Sequence, residues 1–353
     1  MPKAAPPGSP KFSLEDRMKF HRVPGVTLAV INEGKIEWEK GYGVIQEGRG
    51  EPVTTATRFQ ACSVSKPVAS MGALVLVEKG ALNLDAPVNT ELRTWKLPEN
   101  NFTQQTPVTL RMLLSHSAGV NVHGFGGYPA RVPLPTVDEI LDGKPPANSP
   151  AIRVDAPPGE HVKYSGGGMV VMQKMVEDVT GEKFAQYMAN NVLHPLGMMH
   201  STYQIILPAQ PNPEFATAHD KDGKPIEGRW HRYPESTAAG LWTTAGDLAR
   251  FVVELQQSRN GQSNRVLTQS MAEQMTTPQK ETAGLGIFLV GNGPGRRFTH
   301  NGANVGFRSL FIGFMEKGQG LAVLTNSDSG DELIQEIEES VAEAYDWPNR
   351  RRR

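Results

Sequence analysis

Ser63-Val64-Ser65-Lys66 is the first run of residues whose types and spacing suit chemistry. In a helix, three residues advance about 300° and about 4.5 Å, so residues three apart share a face. A serine at a helix mouth with a lysine one turn later sets a nucleophile beside an amine. The hydroxyl can attack a carbonyl while the amine, its pKa depressed if buried, handles the serine proton. The first-turn N–H groups point to where an oxyanion would form. A capping serine followed by a solvent-facing lysine writes the same four letters, so the run alone decides nothing.

Two later runs carry polar groups beside glycine. Tyr164-Ser165-Gly166-Gly167-Gly168 sets a phenol next to residues that leave its approach open. An ordinary tyrosine, with a pKa of about 10, is a poor base unless a cation lowers it, and Lys66 would be that cation. His300-Asn301-Gly302-Ala303 stands at the end of an expected strand. Glycine there lets the backbone approach a ligand, and a strand edge can pair with a substrate's own amide or ester group. Taken singly, a structural tyrosine and a chance turn histidine explain these runs as well.

In this order the three runs resemble the serine β-lactamase and penicillin-binding superfamily, on its class C side. That side includes D-stereospecific peptidases and the β-lactamase-like esterases of family VIII. Leu113-Leu114-Ser115-His116-Ser117-Ala118-Gly119, Pro158-Gly159 and the segment Ala239 to Leu248 add to the likeness, which runs from about Pro24 to Tyr345. The resemblance implies Ser63 as acylated nucleophile, Lys66 as its electrostatic partner and Tyr164 as proton shuttle to the leaving group. It implies the backbone N–H groups of Ser63 and Ala303 as oxyanion donors, with His300, Asn301, Gly302 and Gly166 beside the substrate. Lys66 and Tyr164 are treated as a coupled pair.

Two departures bear on the substrate. Relatives that cleave β-lactams or D-peptides usually carry asparagine where Gly166 stands, and many carry lysine where His300 stands. A histidine is neutral or partly charged near pH 7. Both changes remove groups that grip a peptide-like or carboxylate-bearing substrate. The expectation is therefore a carboxylesterase acting on small or medium acyl esters, with weak β-lactamase side activity. The alternatives are a D-stereospecific aminopeptidase, D,D-peptidase or amidase, and a non-catalytic binding or assembly protein of the same fold. Phe125, Tyr128 and Trp242 are expected to line the acyl or alcohol pocket, while Ser115, His116 and the lone Cys62 read as packing.

The elements that must position these groups follow from periodicity. Val26 to Ile31 and Lys35 to Tyr42 read as a hairpin. Val68, Met71, Val75 and Leu76 mark a helix from Val64 to Lys79, and Pro67 allows it to begin no earlier than about Ser63. Helices are predicted over 169–179, 184–192 and 332–345, and another from a Thr244/Asp247 cap. Strands are predicted over 285–290, 297–300, 307–314 and 321–325. The fold class is α/β (α+β): an antiparallel central sheet flanked by helices, with an inserted mainly helical domain. Residues 13–84 and 265–347 would form the discontinuous α/β domain, 85–264 the insert, and 1–12 and 348–353 flexible termini.

Composition narrows the rest. The 353 residues carry 36 basic and 37 acidic side chains, a balance that argues against a nucleic-acid groove. One cysteine excludes an intrachain disulfide or a Cys-rich cluster. The histidines form no H-E-x-x-H pattern, so no metal is implied, and no cofactor motif is present. No apolar run is long enough to span a bilayer. The N-terminus lacks a signal-like apolar run, which points to the cytoplasm, although a removed signal would leave the same sequence. The expected partner is a small-molecule ester, and the oligomeric state is left open.

Overall fold

A computed structural model describes residues 12–207 and 214–348. The flexible ends expected from the sequence lie, apart from Phe12 and Pro348, outside the described residues. The chain opens with α1 (Leu14–His21), β1 (Gly25–Asn32), β2 (Lys35–Gly43) and the short β3 (Phe59–Gln60), then enters α2 (Ser65–Glu78). Short helices follow: α3 (Val88–Glu91), α4 (Asn101–Gln105), α5 (Leu110–Leu114) and α6 (Val137–Asp142). Next come α7 (Gly166–Thr180), α8 (Phe184–Met188), α9 (Ser236–Ala239), β4 (Trp242–Thr243), α10 (Ala245–Arg259) and α11 (Gln269–Met275). The chain closes with β5 (Phe288–Val290), β6 (Arg297–Asn304), β7 (Phe307–Phe314), β8 (Gly320–Thr325) and α12 (Gly330–Ala344).

Six strands form one antiparallel sheet in the order β2-β1-β8-β7-β6-β5. Strand alternation sorts its side chains between two cores. Val26, Leu28 and Val30 of β1, with Leu321 and Val323 of β8, meet Leu333 and Ile337 of α12. Ala29, Ile31, Ala322 and Leu324 point the other way, into the larger core shared with the helical region. There α10 packs on β1, β7 and β8. Phe251 of α10 meets Phe311 of β7 edge to face, ring centroids 5.7 Å apart.

The mixed α/β architecture with an inserted helical region is the one expected. We keep the boundaries at 84/85 and 264/265 as a proposal; α10, although within the insert by sequence, lies on the sheet. Several element ends differ from the prediction. The glycine run after Tyr164 is the first turn of α7, capped by the Ser165 hydroxyl, which accepts the Gly168 N–H at 2.9 Å. β6 continues through His300 to Asn304, so His300-Asn301-Gly302-Ala303 is strand. Thr244 caps α10 as expected, but the buried Asp247 carboxylate accepts from the His200 N–H and the Ser201 hydroxyl instead of closing the cap, each at 2.8 Å.

Candidate active site

Ser63 sits in a 3-10 turn (Cys62–Val64) between β3 and α2. Cys62, just before it, holds φ at 54°, a left-handed backbone that bends the chain sharply out of β3. Side chains pin the bend. Ser309 of β7 donates to the Ala61 carbonyl at 2.7 Å, and Ser65 donates to the Cys62 carbonyl at 2.6 Å while accepting the Leu241 N–H at 2.9 Å. Ser63 itself stays half-buried.

β6 runs directly past this turn. β5 pairs with β6 only as far as Thr299, so among the described residues no strand pairs the β5-side edge of His300–Asn304. Gly302 is the point of closest approach: a Cβ there would lie 2.7 Å from the Ser63 nitrogen and 2.6 Å from the Ser309 hydroxyl. Only glycine lets the strand and the serine turn meet. Ala303, the next residue, is exposed, and Asn301 is exposed on the same side.

Lys66 lies one turn into α2 and is buried. Its Nζ is 3.1 Å from Ser63 Oγ and 2.8 Å from the Ala238 carbonyl of α9. Burial brings the amine down to about 7, so near neutrality a large share of it is uncharged. An uncharged Nζ can donate to Ala238 and accept the Ser63 proton. Tyr164 stands on the other side, its ring centroid 4.9 Å from Nζ. Burial raises its phenol to about 12, against a smaller opposing pull from the Ser63 side chain. This corrects the expectation that Lys66 would lower the tyrosine. Desolvation is the largest effect on both groups and moves them in opposite directions, so lysine is the group that loses a proton first.

His300 is buried, and its burial together with Lys66 brings it down to about 3. Its Nδ1 donates to the Asn301 carbonyl at 2.6 Å, which leaves Nε2 as a bare acceptor without a partner. Gly166 donates its N–H to the His123 carbonyl at 3.0 Å. A side chain at position 166 would meet the Phe125 ring at 3.0 Å and the His123 carbonyl at 3.1 Å, so Phe125 covers the place where relatives carry an amide.

The other expected pocket residues are packed inside. The Tyr128 hydroxyl accepts the Asn148 N–H at 3.0 Å, and its ring is buried next to Glu235. Trp242 stacks edge to face on Phe215, Trp230 and Phe307, while lining a small cleft with Tyr233 and Gly240. Sequence reasoning read His116 only as packing and did not single out His123 or Phe288, yet their rings lie 4.4, 4.8 and 6.2 Å from that of Tyr164. The one available signal was the position of His116 in the run from Leu113 to Gly119.

The chain as a whole has counterparts among known proteins. A family model described as Beta-lactamase matches residues 13–346. The chain belongs to the beta-lactamase family. Among curated proteins it is similar to protein flp of Staphylococcus aureus (strain MW2), 23% identical over 333 residues, 89% of this chain. This beta-lactamase-family chain spans 61% of that relative's length. Among solved structures it is similar to the octameric penicillin-binding protein homologue from Pyrococcus abyssi, with a TM-score of 0.75, 24% identity and coverage of 94% and 77% of the two chains. The D-alanine carboxypeptidase AmpC from Burkholderia cenocepacia superposes with a TM-score of 0.73 at 22% identity, covering 94% and 96%. These likenesses show that the chain shares the fold of those proteins.

Proposed function

We propose that the chain is a serine acyl hydrolase that forms an acyl-enzyme on Ser63. The observation that carries this reading is the Lys66 Nζ at 3.1 Å from Ser63 Oγ, in a site that brings the amine down to about 7. Neutral Lys66 takes the proton as Ser63 Oγ attacks the carbonyl carbon. The oxyanion forms between the backbone N–H groups of Ser63 and Ala303. The leaving group departs with a proton passed through Tyr164, whose high pKa keeps the phenol protonated and able to donate. Water then attacks the acyl carbon, activated by Lys66 again, and Ser63 is freed.

For the substrate, the names of the similar structures support a D-configured peptide or small amide more than a simple ester. His300 narrows that class. Neutral and acceptor-only at Nε2, it brings no positive charge to a C-terminal carboxylate, which favours an aminopeptidase or amidase over a carboxypeptidase. A carboxylesterase of the family VIII type is the second reading, favoured by Gly166, where no side-chain amide can hold a substrate carbonyl. Turnover of D-alanyl p-nitroanilide and p-nitrophenyl butyrate, compared as kcat/KM, decides between them. Measurable anilide cleavage that is lost in Ser63→Ala supports the amide reading. Ester turnover with no anilide cleavage would replace it with the esterase.

A further inference from the structure

His116 touches the Tyr164 segment at three points. Its carbonyl accepts the Lys163 N–H at 2.7 Å, and its ring Nδ1 accepts the Ser165 N–H at 3.3 Å. Both chain neighbours of Tyr164 are therefore tied to one residue. Its ring lies against the Tyr164 ring at 4.4 Å and is backed by Phe288 at 6.0 Å with planes 15° apart. His116 reaches this place with φ at 54°, a backbone that costs a non-glycine residue about 1–2 kcal/mol.

The hydrogen bond at Nδ1 fixes the chemistry of the ring. An Nδ1 that accepts a backbone N–H carries no proton, so the proton of the neutral ring sits on Nε2. A protonated ring would set N–H against N–H. Burial and the neighbouring Lys66, His300 and His123 all disfavour that protonation.

We propose that His116 is the positioning residue for Tyr164, clasping the segment on both sides of the phenol so that its hydroxyl stays beside Ser63. The proposal rests on the acyl-enzyme reading above. It assigns to His116 no contact with substrate.

The test uses His116→Asn and His116→Phe in the full chain. The asparagine Oδ1 takes the place of Nδ1 and tolerates a left-handed backbone. Phenylalanine keeps the stacked ring but leaves the Ser165 N–H buried without an acceptor. The readout is kcat/KM on D-alanyl ethylamide and ethyl butyrate, whose leaving groups need the proton that Tyr164 passes on, beside fluorophosphonate labelling of Ser63 followed by intact mass and a thermal melt for each variant. His116→Asn should react within about fivefold of the wild type, and His116→Phe about 10–100-fold more slowly at a temperature where its melt shows it folded. Wild-type rates in His116→Phe, or equal slowing in both variants, would overturn the clasp. Should His116→Phe fail to fold, His116→Met takes its place with the same expected loss. A wild type that takes no label at Ser63 overturns the acyl-enzyme reading and the clasp with it, whereas a labelled wild type with indifferent variants overturns the clasp alone.

Discussion

Lys66 is the residue on which the chemistry turns, because burial rather than a partner sets its charge. Acylation should rise with pH through about 7 as the ammonium loses its proton, and stay level above. Lys66→Arg, a guanidinium that does not deprotonate, should lower kcat/KM by about 10²–10⁴-fold and also lower the melting temperature, because the charge stays buried. Stability should move with the same group. In the unfolded chain the lysine titrates at its ordinary 10.5, so from about 7 to 10.5 the unfolded state holds more protons and stability rises with pH. Chemical denaturation at pH 7 and 9 measures this, and Lys66→Met should flatten the difference. Ser63, Lys66 and Tyr164 were legible as residues, because their types and order carry the family likeness. Their proton affinities were not, because desolvation depends on how completely the fold encloses each group.

At the scale of elements, the site is a meeting of three: the turn into α2, the start of α7 and the free edge of β6. Gly302→Ala should break that meeting, since the added Cβ falls 2.7 Å from the Ser63 nitrogen. A loss of about 1–3 kcal/mol in stability and of most activity is expected, read by melting and turnover together. Ser165→Ala removes the α7 cap, and with it the donation to the Asn121 carbonyl at 2.6 Å. Its expected cost is about 0.5–2 kcal/mol, with slowed acylation because Tyr164 is the adjacent residue. Periodicity placed α2, α12 and the hairpin well. It missed the first turn of α7, because glycines read as loop when nothing local reveals that Phe125 and His123 pack against them.

Across the whole molecule, the sheet separates the site from its support. α12 closes the face opposite Ser63, and β1 pairs with β8, joining the two ends of the chain. Leu333→Ala, fully buried on the sheet-facing side of α12, should cost about 2–5 kcal/mol yet leave the acylation rate of the folded protein unchanged. The discontinuous sheet was legible from strands at both ends of the sequence. The ring of His116, His123 and Phe288 around Tyr164 was not, since it joins residues far apart in the chain. No helix among the described residues is long and apolar enough to cross a membrane. The central claim is that buried, neutral Lys66 activates Ser63. Its most direct measurement is the rate and position of fluorophosphonate labelling from pH 5 to 9. One adduct, mapped to Ser63 and forming faster as pH rises through about 7, is the predicted result. A pH-independent rate, or an adduct on any other residue, would contradict it.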